Sequence, residues 1–369
     1  MKNNDKKIKV LHVLGSMNVG GIQMFLMNMF RKIDREKILF DFACMNHKNY
    51  FQQEIEELGG RLFCVGSHKR ILQHRKLLYK VLNENQYDYI HIHSGNALCV
   101  IDSILVKKYD RNLKVIYHSH NSSHKEKHFH EIMKPLIPKY NDFLFACSEE
   151  AARWMYPKTT LSKRKYTIIS NGIDVEKFLY SEKSALEIRR EFGIEDDFVV
   201  GHVGRIDTQK NHKFLLEIFA AIVEKNPNAK LLLVGTGPLE QEIRKLASNL
   251  NIKDKVLFLG TRNDVERVLC ACDVFVFPSL HEGLPLTLIE AESSGLPCYI
   301  SDVISDEAVV SPLVFKESLE TPAKVWAEKI CVATSNDRTW YNQIVGESQY
   351  SVYHTICQIS DFYEEARKA

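Results

Sequence analysis

The stretch Val274–Ala291 reads VFVFPSLHEGLPLTLIEA and decides the fold of this chain of 369 residues. Its first four residues form an apolar run, which predicts a buried parallel strand. Gly283 lets the backbone approach a ligand closely, and Pro285 suits the first turn of a helix. A loop between the end of a parallel strand and the start of a helix is where such folds bind ligands, and the free N–H groups of the helix favour an anion.

Two carboxylates lie eight positions apart in this stretch. Glu282 falls in the loop and Glu290 falls within the predicted helix. A carboxylate at Glu290 can accept hydrogen bonds from two vicinal hydroxyls, such as those of a ribose. Two solvated surface carboxylates are the plainer alternative. The strand, the turn and the spacing together favour the ligand site.

The same alternation of apolar strand and helix runs along the whole chain. In the first half, strands are predicted at Lys9–Leu14, Ile38–Met45, Arg61–Val65, Tyr89–His93, Leu113–Tyr117, Asp142–Cys147 and Tyr166–Ile169. In the second half, they are predicted at Phe198–Val203, Lys230–Val234, Val256–Leu259, Val274–Pro278 and Cys298–Ser301. Continuous apolar strands separated by helices are typical of parallel sheets covered on both faces. The sequence therefore predicts an α/β fold of two Rossmann-like, doubly wound domains facing a central cleft.

The domain boundaries follow from a change in composition. After Asp174 the sequence turns polar until about Asp197, which we interpret as an interdomain segment. We therefore predict an N-terminal domain over 1–178, a C-terminal domain over 179–350, and a C-terminal helix over 351–369 that packs back on the N-terminal domain.

The composition is that of an ordinary globular protein, with 45% hydrophobic and 26% charged residues. No apolar run is long enough to cross a membrane and no secretory signal is visible, so we expect a cytoplasmic protein. The nine cysteines are scattered without a C-x-x-C pair, so we expect reduced core thiols and no zinc site. Residues 1–178 carry 29 Lys and Arg against 18 Asp and Glu, whereas the remainder carries 20 against 29.

The spacing of Glu282 and Glu290 resembles the E-x7-E motif of family 4 glycosyltransferases, which have the GT-B fold. Further motifs that fit this family are Gly20-Gly21, His118-Ser119-His120-Asn121, Asn171-Gly172-Ile173-Asp174, Gly204-Arg205 with Lys210, Gly235-x-Gly237-Pro238 and Arg262-Asn263-Asp264-Val265. The first domain looks closest to bacterial exopolysaccharide and capsule enzymes of the EpsF type. Gln23 departs from the pattern, since many relatives carry Glu there.

The resemblance implies roles for the residues that carry chemistry. Glu290 would hold the donor ribose, Glu282 would contact the transferred sugar, and His120 would face that sugar from the N-terminal, acceptor-binding domain. Arg205 and Lys210 also make physical sense as diphosphate clamps, because two fixed cations after a strand can offset charge on a departing nucleotide diphosphate.

Glycines and the start of the helix complete the expected donor site. Gly20 and Gly21 could offer N–H groups to the phosphates. Gly235 and Gly237 could let the nucleobase pack on the backbone, although a simple tight turn is the alternative. The remaining donor-binding residues that the resemblance implies are Arg262, Gly283, Leu284, Pro285 and Leu286.

The resemblance implies a retaining enzyme that moves a hexose or N-acetylhexosamine from a nucleotide diphosphate sugar, in particular a UDP-sugar, to a saccharide or polyprenyl-diphosphate-linked acceptor. We expect no cofactor and no metal, since Arg and Lys replace the cation. We likewise expect no metal site in the histidine-rich run through His124, His128 and His130. A nucleotide-sugar epimerase of the same fold and a non-catalytic partner subunit remain alternatives. No nucleic-acid partner is expected.

One basic stretch predicts that the first domain contacts the inner face of the membrane. The predicted helix Lys69–Leu82 sets Lys69, Arg70, Arg75, Lys76 and Lys80 among Ile71, Leu72, Leu77, Leu78 and Val81. A basic amphipathic helix can bind anionic lipid. The alternative is that the apolar face packs on the first sheet and leaves the charges solvated.

Overall fold

The computed structural model describes residues 7–18, 20–46, 49–121, 127–332 and 337–368. The chain divides into two compact units: the first comprises Met1–Gly172 and Val352–Ala369, and the second comprises Ile173–Ser351. The division after Gly172 lies six residues before the predicted boundary at 178. The reason is that the short 3-10 helix Val175–Phe178 buries Val175 and Phe178 in the core of the second unit.

The first unit is built on one parallel sheet of seven strands. The strands are β1 (Ile8–Leu14), β2 (Ile38–Cys44), β3 (Leu62–Cys64), β4 (Tyr89–Ser94), β5 (Lys114–Ser119), β6 (Phe143–Ala146) and β7 (Thr167–Ile168). Their order across the sheet is β3-β2-β1-β4-β5-β6-β7, and every pairing is parallel. All seven predicted strands are confirmed.

Helices cover both faces of this sheet. They are α1 (Gly21–Lys32), α2 (Gln52–Glu57), α3 (Ile71–Glu84), α4 (Val100–Tyr109), α5 (Lys127–Met133), α6 (Ile137–Tyr140), α7 (Glu149–Met155) and α8 (Lys158–Ser162), with 3-10 turns at His68–Arg70, Ala97–Cys99 and Lys134–Leu136. Alternate residues of each strand enter opposite cores: Leu11 and Val13 lie on one face, whereas Val10 and Leu14 lie on the other.

The second unit repeats the plan with six parallel strands. They are β8 (Phe198–Val203), β9 (Ala229–Val234), β10 (Val256–Gly260), β11 (Val274–Phe277), β12 (Cys298–Ser301) and β13 (Val314–Glu317), in the order β10-β9-β8-β11-β12-β13. The five predicted strands are confirmed. Strand β13 was missed because it lies at the sheet edge, where Phe315 is exposed and no continuous apolar run marks it.

The described part of the second unit has seven α-helices: α9 (Glu182–Phe192), α10 (His212–Lys225), α11 (Glu240–Asn249), α12 (Val265–Ala271), α13 (Leu286–Ser293), α14 (Ala323–Ile330) and α15 (Arg338–Gly346), with 3-10 turns at Val175–Phe178, Lys253–Lys255 and Asp306–Ala308. The interpretation of the polar stretch up to Asp197 as an interdomain segment was wrong. Most of it is α9, an amphipathic helix that buries Ala185 and Ile188 and packs on α12. The helix was missed because the polar residues of its outer face dominate the composition of this stretch.

The C-terminal helix α16 (Val352–Lys368) belongs to the first unit. Ile359 and Tyr363 are buried in the same core as Phe40 and Phe42, and the Tyr89 hydroxyl donates to the carbonyl of Tyr363 at 3.0 Å. The chain therefore returns from the second unit to complete the core of the first. No helix in the described part of the chain combines the length and apolarity that a bilayer crossing needs.

Candidate functional site

The strand order of the second unit reverses between β8 and β11, so the loops that follow these two neighbouring strands run to opposite sides. Arg205 and Lys210 lie after β8, and Glu282 lies after β11. Doubly wound folds bind their ligands at the carboxyl ends of the strands at such a reversal. The topology thus brings together the loops that the sequence singled out.

Lys210 and Glu282 form a close ion pair. The Lys210 Nζ lies 2.7 Å from Glu282 Oε1, and only 14% and 7% of the two side chains are exposed. The Lys210 stem passes over Gly204, where an added Cβ would lie 3.1 to 3.2 Å from three of its carbons. Gly204 therefore leaves room for the path of Lys210. The sequence named both residues but not their pairing.

Two further residues support this pair, and sequence reasoning missed both. Gln209 Nε2 donates to Glu282 Oε2 at 3.2 Å and to the His281 carbonyl at 3.0 Å. The Phe277 ring lies beneath the Lys210 ammonium, 4.4 Å from Nζ to the ring centroid. A cation over an aromatic face gains electrostatic attraction. The position of Gln209 directly before Lys210 was a signal that could have found it.

Arg205 differs from Lys210 in its surroundings. Its side chain is 71% exposed, and its contact with a carboxylate is a long one of 3.9 Å to Asp207. The structure thus separates the two expected clamps into one cation in an ion pair and one cation that faces solvent. Arg205 can move toward a ligand without leaving a strong partner.

The start of α13 supplies backbone donors. Pro285 lies one residue before the helix, and its carbonyl accepts from the N–H of Leu288 at 2.9 Å. The N–H groups of Leu286 and Thr287 precede the first bonds of the helix, as in every helix N-terminus. Gly283, Leu284 and Leu286 are partly buried. This geometry suits an anion beside the Lys210–Glu282 pair.

Glu290 lies one turn into α13 and is partly buried. Burial raises the pKa of its carboxyl to about 7. The nearby Lys177 opposes this rise, and the nearby Glu266 adds to it. Those two residues pair with each other at 3.2 Å. Near neutral pH the carboxyl of Glu290 can therefore donate as well as accept a hydrogen bond, which suits hydroxyl groups.

Gly235 and Gly237 pack directly on the loop after β8. An added Cβ would lie 2.1 Å from the Gly204 carbonyl oxygen at Gly235 and 2.1 Å from the Ile206 carbonyl oxygen at Gly237. Gly235 also has a φ of 130°, which side chains rarely adopt. Both glycines are therefore required by contact between two loops, which supports the simpler alternative; the nucleobase role stays a prediction.

Arg262 is held by carboxylates of its own unit. It makes two bonds of 2.8 Å to Asp264 and one of 2.9 Å to Glu191 of α9. These bonds raise the pKa of its guanidinium further. The contacts give Arg262 a structural role in tying α9 to the start of α12, and its contact with a donor nucleotide stays a prediction.

In the first unit, Gly20 precedes α1 and Gly21 is its first residue. Gln23 folds back over this loop: its Nε2 donates to the Ser16 carbonyl at 2.7 Å, and its Oε1 would lie 2.6 Å from a Cβ added at Gly20. A Cβ at Gly21 would meet nothing within 4 Å. Gly20 is therefore constrained by Gln23, whereas Gly21 is free of steric demands from the described residues.

His120 follows β5 and ends a ladder of imidazoles on one sheet face. Its members are His12 on β1, His91 and His93 on β4, His118 on β5, and His120 just after β5; the first four are buried and His120 is partly exposed. Burial lowers the pKa of His12 and of His120 to about 3. It lowers the pKa of the other three well below the usual value. All five are therefore neutral at physiological pH.

Of the three residues named in the histidine-rich run, the structure describes the side chain of His130 alone. His124 lies outside the described residues, and the side chain of His128 is likewise outside them. His130 is buried, stacks on Trp154 at a centroid distance of 3.9 Å, and accepts from the N–H of Ala97 at 3.1 Å. His130 therefore has a structural role in the first unit.

Comparison with known proteins identifies the class. Residues 19–177 match the family described as Glycosyltransferase Family 4, and residues 184–337 match the family described as Glycosyl transferases group 1. Two doubly wound units with these matches define a glycosyltransferase of the GT-B fold. The protein EpsF of Bacillus subtilis, named as a glycosyltransferase, is 35% identical over 91% of this chain and 90% of its own. The chain belongs to the family 4 glycosyltransferases, which confirms the resemblance drawn from the motifs.

Other relatives and solved structures agree. An Escherichia coli enzyme named UDP-Gal:alpha-D-GlcNAc-diphosphoundecaprenol alpha-1,3-galactosyltransferase is 28% identical over 84% of this chain and 83% of its own. HepE from Anabaena, solved with UDP-glucose, has a TM-score of 0.79 at 19% identity, covering 97% of this chain and 100% of that one. A glycosyltransferase from Rickettsia africae has a TM-score of 0.80 at 15% identity, covering 97% and 98%. These two structures share the fold.

Proposed function

We propose that this enzyme transfers a hexose or N-acetylhexosamine from a UDP-sugar, with retention of anomeric configuration, to a saccharide or polyprenyl-diphosphate-linked acceptor in exopolysaccharide or capsule synthesis. The observation that carries the proposal is the cluster at the strand reversal of the second unit. There, Arg205, the Lys210–Glu282 pair and the start of α13 lie on adjacent loops. The name of the Escherichia coli relative and the UDP complexes of HepE support the donor and acceptor classes.

Departure of the nucleotide diphosphate depends on stabilising its negative charge. When the sugar–phosphate bond breaks, negative charge develops on the β-phosphate, and preorganised cations and N–H groups stabilise it. Arg205 is exposed and available for this role, and the N–H groups at the start of α13 add to it. In the retaining reaction that we propose, the acceptor attacks on the face that the phosphate leaves, and the phosphate takes the acceptor's proton.

The proposal includes independence from divalent metal, because arginine, lysine and helix N–H groups supply the charge. We expect transfer to continue in the presence of EDTA at a rate close to that without it. Complete loss of transfer on chelation, restored by magnesium or manganese, would contradict this part of the proposal.

Peripheral contact with the inner membrane face is also part of the proposal. Helix α3 buries Leu78, Val81 and Leu82, yet Leu72 is 71% exposed and Ile71 is 41% exposed. The basic residues of this segment are all exposed: Lys69, Arg70, Arg75, Lys76 and Lys80. The helix thus packs on its sheet and still offers an apolar and basic outer surface, which suits an anionic leaflet and a diphosphate-linked acceptor.

Acceptor-dependent release of nucleotide diphosphate tests the function. Purified protein is given a panel of nucleotide sugars with and without polyprenyl-diphosphate N-acetylhexosamine, and the product is examined by NMR for anomeric configuration. We expect UDP release only with the acceptor, and an α-linked product from an α-configured donor. Conversion of the donor to an epimer without acceptor would favour the epimerase, and no turnover with any donor would favour a partner subunit.

A matched pair of variants links the activity to the site. Arg205→Ala should lower turnover by on the order of a hundredfold, because one charge-stabilising donor is lost. Lys213→Ala removes another exposed cation of the same unit, on α10, whose side chain is 59% exposed and pairs with Glu242 at 2.7 Å. It should leave turnover unchanged. Equal activity of the two variants would remove Arg205 from the site.

A further inference from the structure

Three imidazoles of the ladder form a continuous hydrogen-bonded chain. His12 Nδ1 lies 2.9 Å from His93 Nε2, and His93 Nδ1 lies 2.9 Å from His120 Nε2. His93 therefore uses both ring nitrogens within the chain. His12 and His93 are completely or almost completely buried, and His120 is the partly exposed end.

The chain can carry its protons in only two arrangements. A neutral imidazole has one N–H and one lone pair, and burial keeps these three rings neutral. Every bond in the chain must then point the same way: either from His12 toward His120, or from His120 toward His12. The choice decides which nitrogen of His120 carries the proton.

The His12 end favours the first arrangement. Its Nε2 has no hydrogen-bond partner among the described residues, and the ring lies between Phe40 and Phe42, with centroids at 4.2 and 5.5 Å. If His12 donates from Nδ1, its Nε2 carries only a lone pair in this apolar pocket. If His12 accepts at Nδ1, its Nε2 carries an N–H that has no acceptor. Orphaned buried N–H groups are the rarer case.

The other end of the chain agrees. Burial lowers the pKa of His120, and the neighbouring Asn171 side chain opposes this lowering, as a hydrogen-bond acceptor does. The Asn171 Oδ1 and the His120 Nδ1 both lack a partner of full hydrogen-bond geometry in the described structure. An amide oxygen only accepts, so the nitrogen that faces it should carry the proton. His120 Nδ1 is thus the end at which the chain delivers its last N–H.

A second chain of hydrogen bonds lies beside the first. His91 Nδ1 lies 2.7 Å from the Tyr363 hydroxyl, and His91 Nε2 lies 3.3 Å from His118 Nδ1. Burial and the neighbouring histidines lower the pKa of His118, and the main chain of Ile169, in the segment that leads to Asn171, opposes this lowering. His118 Nε2, at the end of this second chain, has no hydrogen-bond partner among the described residues. The second chain therefore does not fix the direction of the first.

We propose that His12 and His93 are positioning residues that fix His120 as a neutral imidazole with its proton on Nδ1. His120 is thereby a hydrogen-bond donor and not a general base. In the transfer reaction proposed above, on which this second part rests, its N–H would exchange the Asn171 amide oxygen for an oxygen of the sugar or the acceptor. Neither positioning residue needs to touch the substrate.

The tautomer can be read directly in the full-length protein. With 15N-labelled histidine, long-range proton–nitrogen NMR distinguishes a protonated from an unprotonated ring nitrogen, and His120→Asn assigns the signal. We expect His120 protonated at Nδ1 alone from pH 6 to 8. A proton on Nε2 of His120 in the unaltered protein would overturn the proposal without reference to activity.

A matched pair at His12 tests the positioning role. His12→Asn keeps an amide donor near the place of Nδ1. His12→Leu has a side chain with the same branching and number of heavy atoms as asparagine, but no donor. We expect the Asn variant to keep the single tautomer and the Leu variant to show both tautomers of His120. Identical tautomer populations in the two variants would overturn the role of His12.

The activity arm uses the two amides that mimic the two ring nitrogens. Asparagine places its amide nitrogen near Nδ1 of the ring it replaces, and glutamine near Nε2. We expect His120→Asn to retain at least tenfold more kcat than His120→Gln, with no titration of kcat between pH 6 and 8 in the unaltered enzyme. Equal loss in both variants would overturn the donor role. Absence of transfer by the unaltered protein would defeat the proposed function, while the NMR result would stand.

Discussion

Replacing Lys210 should cost stability as well as activity. Its Nζ is 2.7 Å from Glu282 Oε1 in a pair of which little is exposed, and Glu282 also accepts from Gln209. Removing the cation leaves the carboxylate buried with one amide as its partner. Breaking a buried pair in this way costs about 3–5 kcal/mol, and the 14% and 7% exposure here places the expected value near the lower figure.

The assay is thermal and urea unfolding of Lys210→Met, Glu282→Gln and the double variant. For a unit of this size, about 3 kcal/mol lowers Tm by roughly 6–12 °C. Each single variant should show this loss. The double variant should lose less than the sum of the two, with a coupling of roughly 1.5–3 kcal/mol, because neither charge is then left alone.

Arg205→Ala is the matched control, since its side chain is 71% exposed and its carboxylate contact is 3.9 Å long. Exposed contacts of this kind are worth about 0–1 kcal/mol, so Tm should barely move while turnover falls. If Lys210→Met and Arg205→Ala have the same Tm, the Lys210–Glu282 pair does not stabilise the fold and the reasoning from its burial is refuted.

Three further predictions follow from burial and charge. Glu290→Gln should weaken donor-nucleotide binding, yet raise stability at pH 8, because the folded carboxyl has a pKa of about 7 and the unfolded one ionises near 4.5, so ionisation opposes folding as pH rises between them. Unchanged nucleotide affinity by calorimetry would remove Glu290 from the donor site. The first unit should lose stability as pH falls from 6.5 toward 3, by up to about 1.4 kcal/mol per pH unit for each neutral buried histidine such as His12 and His120; a Tm that stays level from pH 7.5 to 5 would contradict this. Leu72→Glu should reduce sedimentation with anionic liposomes at low salt without changing Tm, and a protein that stays in the supernatant before any substitution would end the membrane proposal.

Much of the fold could be predicted because each strand is a local signal. Of the thirteen strands in the described residues, twelve appear in the sequence as apolar runs. The edge strand β13 does not, because Phe315 is exposed and no continuous apolar run marks it. Helix α9 was missed for the converse reason. Its polar face dominates the local composition, and its narrow buried stripe has meaning only against α12.

The candidate site could be predicted as a set of residues but not as a set of bonds. Lys210 and Glu282 are 72 positions apart, and their contact depends on β8 and β11 being neighbours. The histidine ladder depends on register in the same way: His12 pairs with His91, and His93 pairs with His118, across adjacent strands. The two-residue spacing predicts a common face for His91 and His93. No local pattern predicts which strands lie side by side.

The bonds change what the motif means for charge. A reading from sequence counts Arg205 and Lys210 as two cations for a diphosphate. In the structure, Glu282 neutralises Lys210, so Arg205 and the N–H groups at the start of α13 carry the net positive potential at these loops. A diphosphate must then either share Lys210 with Glu282 or rely on Arg205. Because Arg205 is solvent-exposed, its contribution is screened by salt, whereas that of the partly buried pair is screened less. Donor affinity that falls with ionic strength in the parent protein but not in Arg205→Ala would assign the salt-sensitive share to Arg205 alone.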